Sequence, residues 1–292
     1  MDQIELFRQI IASCDENLKD VFLRRMEASV RIAQSKLSRG GSVYSAREER
    51  LILENISAGL APEMQFKARM LWKTLLRMDR NRQYRVFLET DSELKLRHEA
   101  DMAENFPQGL GCCQTGIEEN VRKIMGAGLV EVLGTAETLE QTLELVERGD
   151  CAWGAVPLEG IYKTNELYQQ LESRKLYLNG IFPAEQGQGL TAVVSRRLIH
   201  RPGREEQISA AFYMPSESGS LAGVLSVLAD NKQNMVFIHL EKSDQADELH
   251  QFHLYVDFDG CLDSLDTRAA VYQLETELPY FRILGARRPL KN

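Results

Sequence analysis

Residues 2–37, DQIELFRQIIASCDENLKDVFLRRMEASVRIAQSKL, decide the reading of the first third of the chain. Leu6, Ile10, Cys14, Leu18, Val21, Phe22, Met26, Ala33 and Leu37 recur at three- and four-residue steps, and neither proline nor glycine intervenes before Gly40-Gly41. That is the period of an amphipathic helix, so the stretch predicts one helix from Asp2 to Leu37, roughly 50 Å long. The other helices of a small domain cannot cover such a length, and the pattern therefore points to a second copy of the chain in an intertwined dimer. Arg25 and Lys36 are eleven residues apart, three turns on, and share a face about 16 Å apart along the axis. Arg8 falls a quarter-turn away and suits a different pocket, that of the partner. Cations at measured intervals on a helix suggest a small anion as ligand.

Composition narrows the remaining classes. The chain has 292 residues, enough for two or three domains, and its net charge of −8 with no basic run or arm argues against a nucleic-acid partner. No apolar stretch approaches membrane-spanning length, and MDQIELFRQ lacks the apolar core of a signal peptide. Cys14, Cys112, Cys113, Cys151 and Cys261 show no metal-ligand spacing, and the five histidines form no H-x-x-x-H or H-E-x-x-H pattern. The expectation is a cytoplasmic protein with buried thiols, no metal and no cofactor.

Three segments differ in texture. Residues 1–88 are helical throughout: after Gly40-Gly41, Ser45-Ala46-Arg47-Glu48 has the form of a capping box that opens a second helix, Gly59 closes it, and Pro62 starts a third that runs to about Leu88. Residues 89–104 are charged and read as a linker. Residues 105–200 alternate strand-like and helical stretches: Leu129–Leu133 is apolar, Ala136–Arg148 amphipathic, and Cys151–Pro157 a buried-looking strand. Residues 207–288 read β-α-β-β-α-β, with strands at Ile208–Met214, Met235–Leu240, Phe252–Phe258 and Phe281–Leu284 and helices near Gly219–Ala229 and Leu265–Glu277. That is the split βαβ, ferredoxin-like order.

Particular residues carry a resemblance. Arg8, Arg25, Lys36, Arg47, Glu48 and Gln83 stand at fixed spacing over about 75 residues. Further on come CCQTGIEENVRKIMG (112–126), TAETLEQTLELVERGD (135–150), WGAVPLEG (153–160) and GSLAGVL (219–225). With these, the chain resembles the bifunctional chorismate mutase–prephenate dehydratase of bacterial phenylalanine biosynthesis, with a large piece missing. The resemblance implies an all-α intertwined mutase domain at 1–88, a truncated dehydratase-like α/β lobe at 105–200 and an α+β, ferredoxin-like ACT domain at 207–290. LTAVVS (190–195) runs straight through where that family has a second lobe ending in Thr-Arg-Phe; Thr191 is a remnant at most, and Gly160 replaces the asparagine of the family's P-I-E-N-S. A cleft with one wall cannot exclude water from a substrate, so dehydratase activity is expected to be lost.

By the same resemblance chorismate is the substrate, and its conversion to prephenate is a Claisen rearrangement without proton transfer or covalent intermediate. Arg25 and the partner's Arg8 would take carboxylates, Arg47 would order the loop end of the pocket, Lys36 and Gln83 would donate to the ether oxygen, and Glu48 would accept from the ring hydroxyl. Planar guanidinium forks suit carboxylates, and fixed donors stabilise charge growing on the breaking oxygen. Tyr44 stands where the family has Asp, and Asp79 stands where it has a Ser beside a substrate carboxylate. An ionised Asp79 would repel a dianion unless Arg80 or Arg82 neutralises it or it turns away. Gly219, Ser220, Leu221 and Glu241 match part of the ACT signature, which implies phenylalanine as effector; half of that signature is lost at Ser243-Asp244.

Each residue also has an ordinary reading. Arg8 can pair with Glu5, Lys36 is favoured at a helix C-terminus, Glu48 fits a capping box, and Gln83 sits in a run of arginines that suggests exposure. The ACT-like segment can equally be a dimerising sandwich without ligand. A second class of function therefore stands beside the mutase: a catalytically weak amino-acid-sensing or partner-binding protein on a mutase scaffold, as a dimer or higher homo-oligomer.

Overall fold

The computed structural model describes residues 2–125, 132–158, 164–183, 189–204, 206–214, 218–242 and 252–289. The chain divides into two compact units, Met1–Leu94 and Lys95–Asn292.

The first unit is three helices: α1 (Gln3–Ser38), α2 (Ala46–Ser57) and α3 (Pro62–Thr90). Local chemistry sets their ends. The Asp2 side chain accepts from the amide of Ile4, and Gly40, at φ +66°, lets the chain turn so that Gly41 N–H reaches Lys36 C=O at 2.8 Å. Ser45 caps α2 by accepting from the amide of Glu48, and Pro62 occupies the first turn of α3, where its missing N–H costs nothing. At 36 residues α1 is about 54 Å long. Only Ser29 and Ala33 of it are buried, because only its C-terminal half packs on α3. Ile4, Leu6, Phe7, Ile10, Ile11 and Leu18 are exposed, as are Met64, Phe66, Met70 and Leu71 early in α3.

Among the described residues, the second unit carries a nine-stranded sheet. Its strands are β2 (Gly111–Gln114), β3 (Val132–Ala136), β4 (Trp153–Leu158), β5 (Tyr177–Pro183), β6 (Leu190–Ser195), β8 (Glu206–Met214), β9 (Met235–Lys242), β10 (Phe252–Gly260) and β11 (Tyr280–Arg287). Their order is β3-β2-β4-β6-β5-β11-β8-β10-β9. The short strands β1 (Met102–Ala103) and β7 (Leu198–Ile199) pair in parallel beside it. The helices are α4 (Glu118–Met125), α5 (Leu139–Arg148), α6 (Thr164–Ser173), α7 (Ser220–Asp230) and α8 (Leu265–Glu277). Residues from Glu206 to Arg287 have the β-α-β-β-α-β order read from the sequence, with β11-β8-β10-β9 all antiparallel. The LTAVVS run is β6, paired antiparallel to β4 on one side and β5 on the other.

Two features join the halves of this unit. β5 and β11 pair in parallel at Leu178 and Gly285, where a Cβ on Gly285 would lie 2.2 Å from the Leu178 carbonyl oxygen, so only glycine permits the approach. In the core, Tyr168 of α6 donates to Asp257 at 2.8 Å, and Arg287 Nη2 donates to the same carboxylate at 2.7 Å. The stretch expected to be a linker differs from that reading in part. Leu96 is buried, Arg97–Asp101 forms a 3-10 turn, and Met102–Ala103 joins a ladder, because Leu96 and His98 supply apolar and polar anchors inside a charged segment. Of the five free thiols, Cys112, Cys113 and Cys151 are buried as expected, whereas Cys14 on α1 is exposed and Cys261 half-buried. Residues 129–131 of the expected Leu129–Leu133 strand, together with Gly160 and Ser243-Asp244, lie outside the described residues. No helix among the described residues is long and apolar enough to cross a membrane.

Candidate functional site

A cavity of about 350 Å³ lies among the three helices of the first unit. α1 contributes Arg25, Ser29 and Lys36 to it, spaced by whole turns so that all three face the same way. Ser45 and α2 contribute Glu48 and Glu49, and α3 contributes Asp79, Arg80 and Gln83. Five residues singled out in the sequence, Arg25, Lys36, Glu48, Asp79 and Gln83, thus line one space.

Hydrogen bonds fix the orientation of most of these groups. Arg25 Nη2 donates to Asp79 Oδ2 at 2.5 Å, with side chains 31% and 12% exposed. Arg80 pairs with Glu49, and its guanidinium stands 5.4 Å over the ring of Tyr44. Lys36 Nζ donates to the Val43 carbonyl at 2.7 Å, which ties the turn after α1 to the cavity and leaves two ammonium protons. The Ser29 hydroxyl donates to the Asp79 carbonyl at 3.0 Å and accepts from Gln83 Nε2 at 3.3 Å. A hydroxyl has one proton, so Gln83 must present nitrogen to Ser29 and turn its oxygen elsewhere. Gln83 Oε1, Asp79 Oδ1 and Arg25 Nε are buried with no hydrogen-bond partner among the described residues. Buried polar atoms left unpaired cost about 1–3 kcal/mol each, so this trio marks where a ligand's polar groups have most to gain.

The electrostatics differ from those of a simple anion cage. Arg25, Lys36 and Arg80 face Glu48, Glu49 and Asp79, so the lining from one chain carries three cations against three carboxylates. Burial pushes the Asp79 carboxyl above its ordinary range, outweighing the charges of Arg25 and Arg80, and Glu49 pushes the same way. The partner that neutralises Asp79 is Arg25 itself, not only Arg80 or Arg82 as the sequence suggested, because Ser29 holds α1 against α3 at that point. Gln83 is buried, against the ordinary reading that its arginine-rich surroundings expose it.

The other expected residues do not line this cavity. Arg8 is 73% exposed and lies 3.8 Å from Glu5, the surface pair that helix spacing allows. Arg47 is exposed on the first turn of α2, and Tyr44 is half-buried under Arg80. Ser29 and Glu49 escaped the sequence reading. The available signal was spacing: Ser29 is one turn beyond Arg25, and Glu49 directly follows Glu48. Among the described residues no group of His, Cys, Asp or Glu gathers as a metal site would require.

In the second unit, Gly219 takes φ +89° and caps α7, so Ser220 and Leu221 open that helix. Glu241 on β9 accepts from Gln169 Nε2 at 2.7 Å and faces His239 Nε2 at 2.9 Å. Thr191 is buried, and its hydroxyl accepts from Asn120 at 2.6 Å.

No protein-family model and no curated protein matches the chain. Solved structures do. The prephenate dehydratase of Arthrobacter aurescens, in complex with L-Phe, aligns at TM-score 0.51 and 13% identity, covering 62% of this chain and 90% of that one. Over that part the fold is prephenate-dehydratase-like. The prephenate dehydratase of Streptococcus mutans aligns at TM-score 0.48 and 17% identity, covering 61% and 97% of the two chains. A quorum-quenching acylase, GqqA, aligns at 0.49 and 17%, covering 62% and 95%. At these identities the likeness is one of fold alone.

Proposed function

We propose that the helical unit is a chorismate mutase, converting chorismate to prephenate in aromatic amino-acid biosynthesis. The observation that carries the reading is the shared cavity of Arg25, Lys36, Glu48, Asp79 and Gln83. A Claisen rearrangement asks for little chemistry from a protein. It must hold a folded conformer and meet the charge that grows on the breaking ether oxygen, and donors fixed in advance do both. Lys36 has two uncommitted protons and Arg25 Nε is an orphan donor, so each can meet a ligand oxygen without losing an existing bond. Gln83 Nε2 spends one of its two protons on Ser29 and keeps the other for the ether oxygen.

The exposed apolar flank of α1 and the early part of α3 is too large for an ordinary solvent-facing surface, and a second copy of the chain is the occupant that fits it. That copy would bring Arg8 toward the first chain's cavity, adding a cation to a lining that is otherwise balanced. Residues 105–200 are a degenerate dehydratase-like lobe without dehydratase activity, and residues 207–290 an ACT-like regulatory domain. The L-Phe bound by the Arthrobacter aurescens enzyme supports phenylalanine as an effector here, acting through Gly219, Ser220 and Leu221.

One observation favours a second reading, a weakly catalytic amino-acid-sensing or partner-binding protein on the same scaffold. Arg25, assigned to a substrate carboxylate, is already held by Asp79. Purified protein mixed with chorismate separates the two readings. Loss of the substrate's ultraviolet absorbance, abolished in Lys36→Ala, supports the enzyme. A rate no faster than buffer, from a folded dimeric sample, leaves only the sensor.

A further inference from the structure

The second unit holds a cavity of about 320 Å³ that neither the mutase reading nor the effector reading uses. Its apolar part is built from Phe106, Trp153, Phe182 and Val193. Two glycines make room for the rings. A Cβ on Gly111 would fall 1.9 Å from the Trp153 indole, and one on Gly180 would fall 2.4 Å from the Phe182 ring. Phe106 meets Trp153 at a centroid distance of 6.0 Å with planes tilted by 55°. The result is an aromatic-walled space at the small end of the roughly 300–1,000 Å³ range of ligand sites.

The polar part is cationic. Among the described residues, Arg201 and Arg288 line the same cavity, no Asp or Glu does, and neither arginine forms a hydrogen bond or ion pair. Burial, and then the like charge of Arg288, pull Arg201 below its ordinary range, with Glu206 opposing them only in part, so an anion between the two arginines would offset their repulsion. Asn179 also lines the space, but its amide is spent on Ser195, the Arg197 carbonyl and the Ile199 amide. We propose that this cavity binds a small aromatic carboxylate bearing no ammonium group, its ring against Trp153 and its carboxylate across Arg201 and Arg288. An amino acid fits less well, because no carboxylate among the described residues lines the space to accept its ammonium.

The chain has two tryptophans, so full-length Trp72→Phe protein reports on Trp153 alone. Fluorescence titration, checked by calorimetry, would use three probes: 3-phenylpropanoate, 3-phenylpropan-1-ol and L-phenylalanine. The expected result is a saturable change with the acid, at least tenfold tighter than with the alcohol or the amino acid. Arg288→Gln and Arg201→Gln should each weaken the acid about tenfold and leave the alcohol unchanged. Arg288 is exposed, so its variant is expected to fold even if the Arg201 variant does not. Equal affinity for acid and alcohol, tighter binding of L-phenylalanine, no saturable change with any probe, or an Arg288→Gln protein that binds the acid like wild type would each overturn the assignment.

Discussion

Under the proposed function, replacing Asp79 with serine should raise the mutase activity of the helical unit. In the wild-type chain Arg25 is committed to the Asp79 carboxylate at 2.5 Å, and a substrate carboxylate approaching Arg25 meets that negative charge. Two unit charges 4 Å apart interact by about 4 kcal/mol at an effective dielectric near 20. Arg25 is about one-third exposed, and discounting for solvent screening brings the figure to about 2 kcal/mol. Relief of that repulsion corresponds to about thirtyfold in kcat/KM for chorismate. The cost in stability should be small, within about 1–2 kcal/mol by urea denaturation, because the variant also removes a carboxylate whose burial is unfavourable. The assay is the initial rate of chorismate disappearance for wild type, Asp79→Ser and the double variant Asp79→Ser/Arg25→Ala. A folded Asp79→Ser protein with wild-type or lower kcat/KM would refute the reasoning. So would a double variant as fast as the single one.

Three further outcomes are expected. Co-expressing Arg8→Ala and Lys36→Ala chains should restore about a quarter of wild-type activity, since half of randomly paired dimers would hold one intact site of two; two inactive parents giving an inactive mixture would remove the shared site. Asp79 has a folded pKa above its unfolded one, so the folded state binds more protons and stability from this group falls as pH rises through that window. kcat/KM should correspondingly climb as pH falls through the same window in wild type and stay flat in Asp79→Ser; coincident profiles would contradict this. In the second unit, Asp257→Ala strands Arg287, each side chain being 2% exposed, and should cost about 3–5 kcal/mol in chemical denaturation, with a loss under 1 kcal/mol counting against the pair.

The helical unit was legible because its signals are local. Period, capping serine and N-terminal proline fix α1, α2 and α3 to within a few residues, and helical spacing alone aligns Arg25 with Lys36. The β-α-β-β-α-β order was legible for a similar reason, since each strand alternates or runs apolar between clear turns. What stayed hidden depends on contacts distant in sequence. The Arg25–Asp79 pair spans 54 residues and follows from where α1 crosses α3, which no spacing rule reports. The pairing of β5 with β11 rests on one glycine, and glycine in a strand does not announce its neighbour. Leu96 and Met102 look like parts of a charged connection until their burial and strand pairing are seen.

A crystal structure with an oxabicyclic diacid that mimics the folded transition state puts the mutase cage itself to the test. The diacid should sit in the helical unit with its ether oxygen on Lys36, one carboxylate on Arg25 freed from Asp79, and the other on Arg8 of a second copy. A diacid bound elsewhere, or an empty cavity with Arg25 still on Asp79 at saturating ligand, would contradict the proposed function.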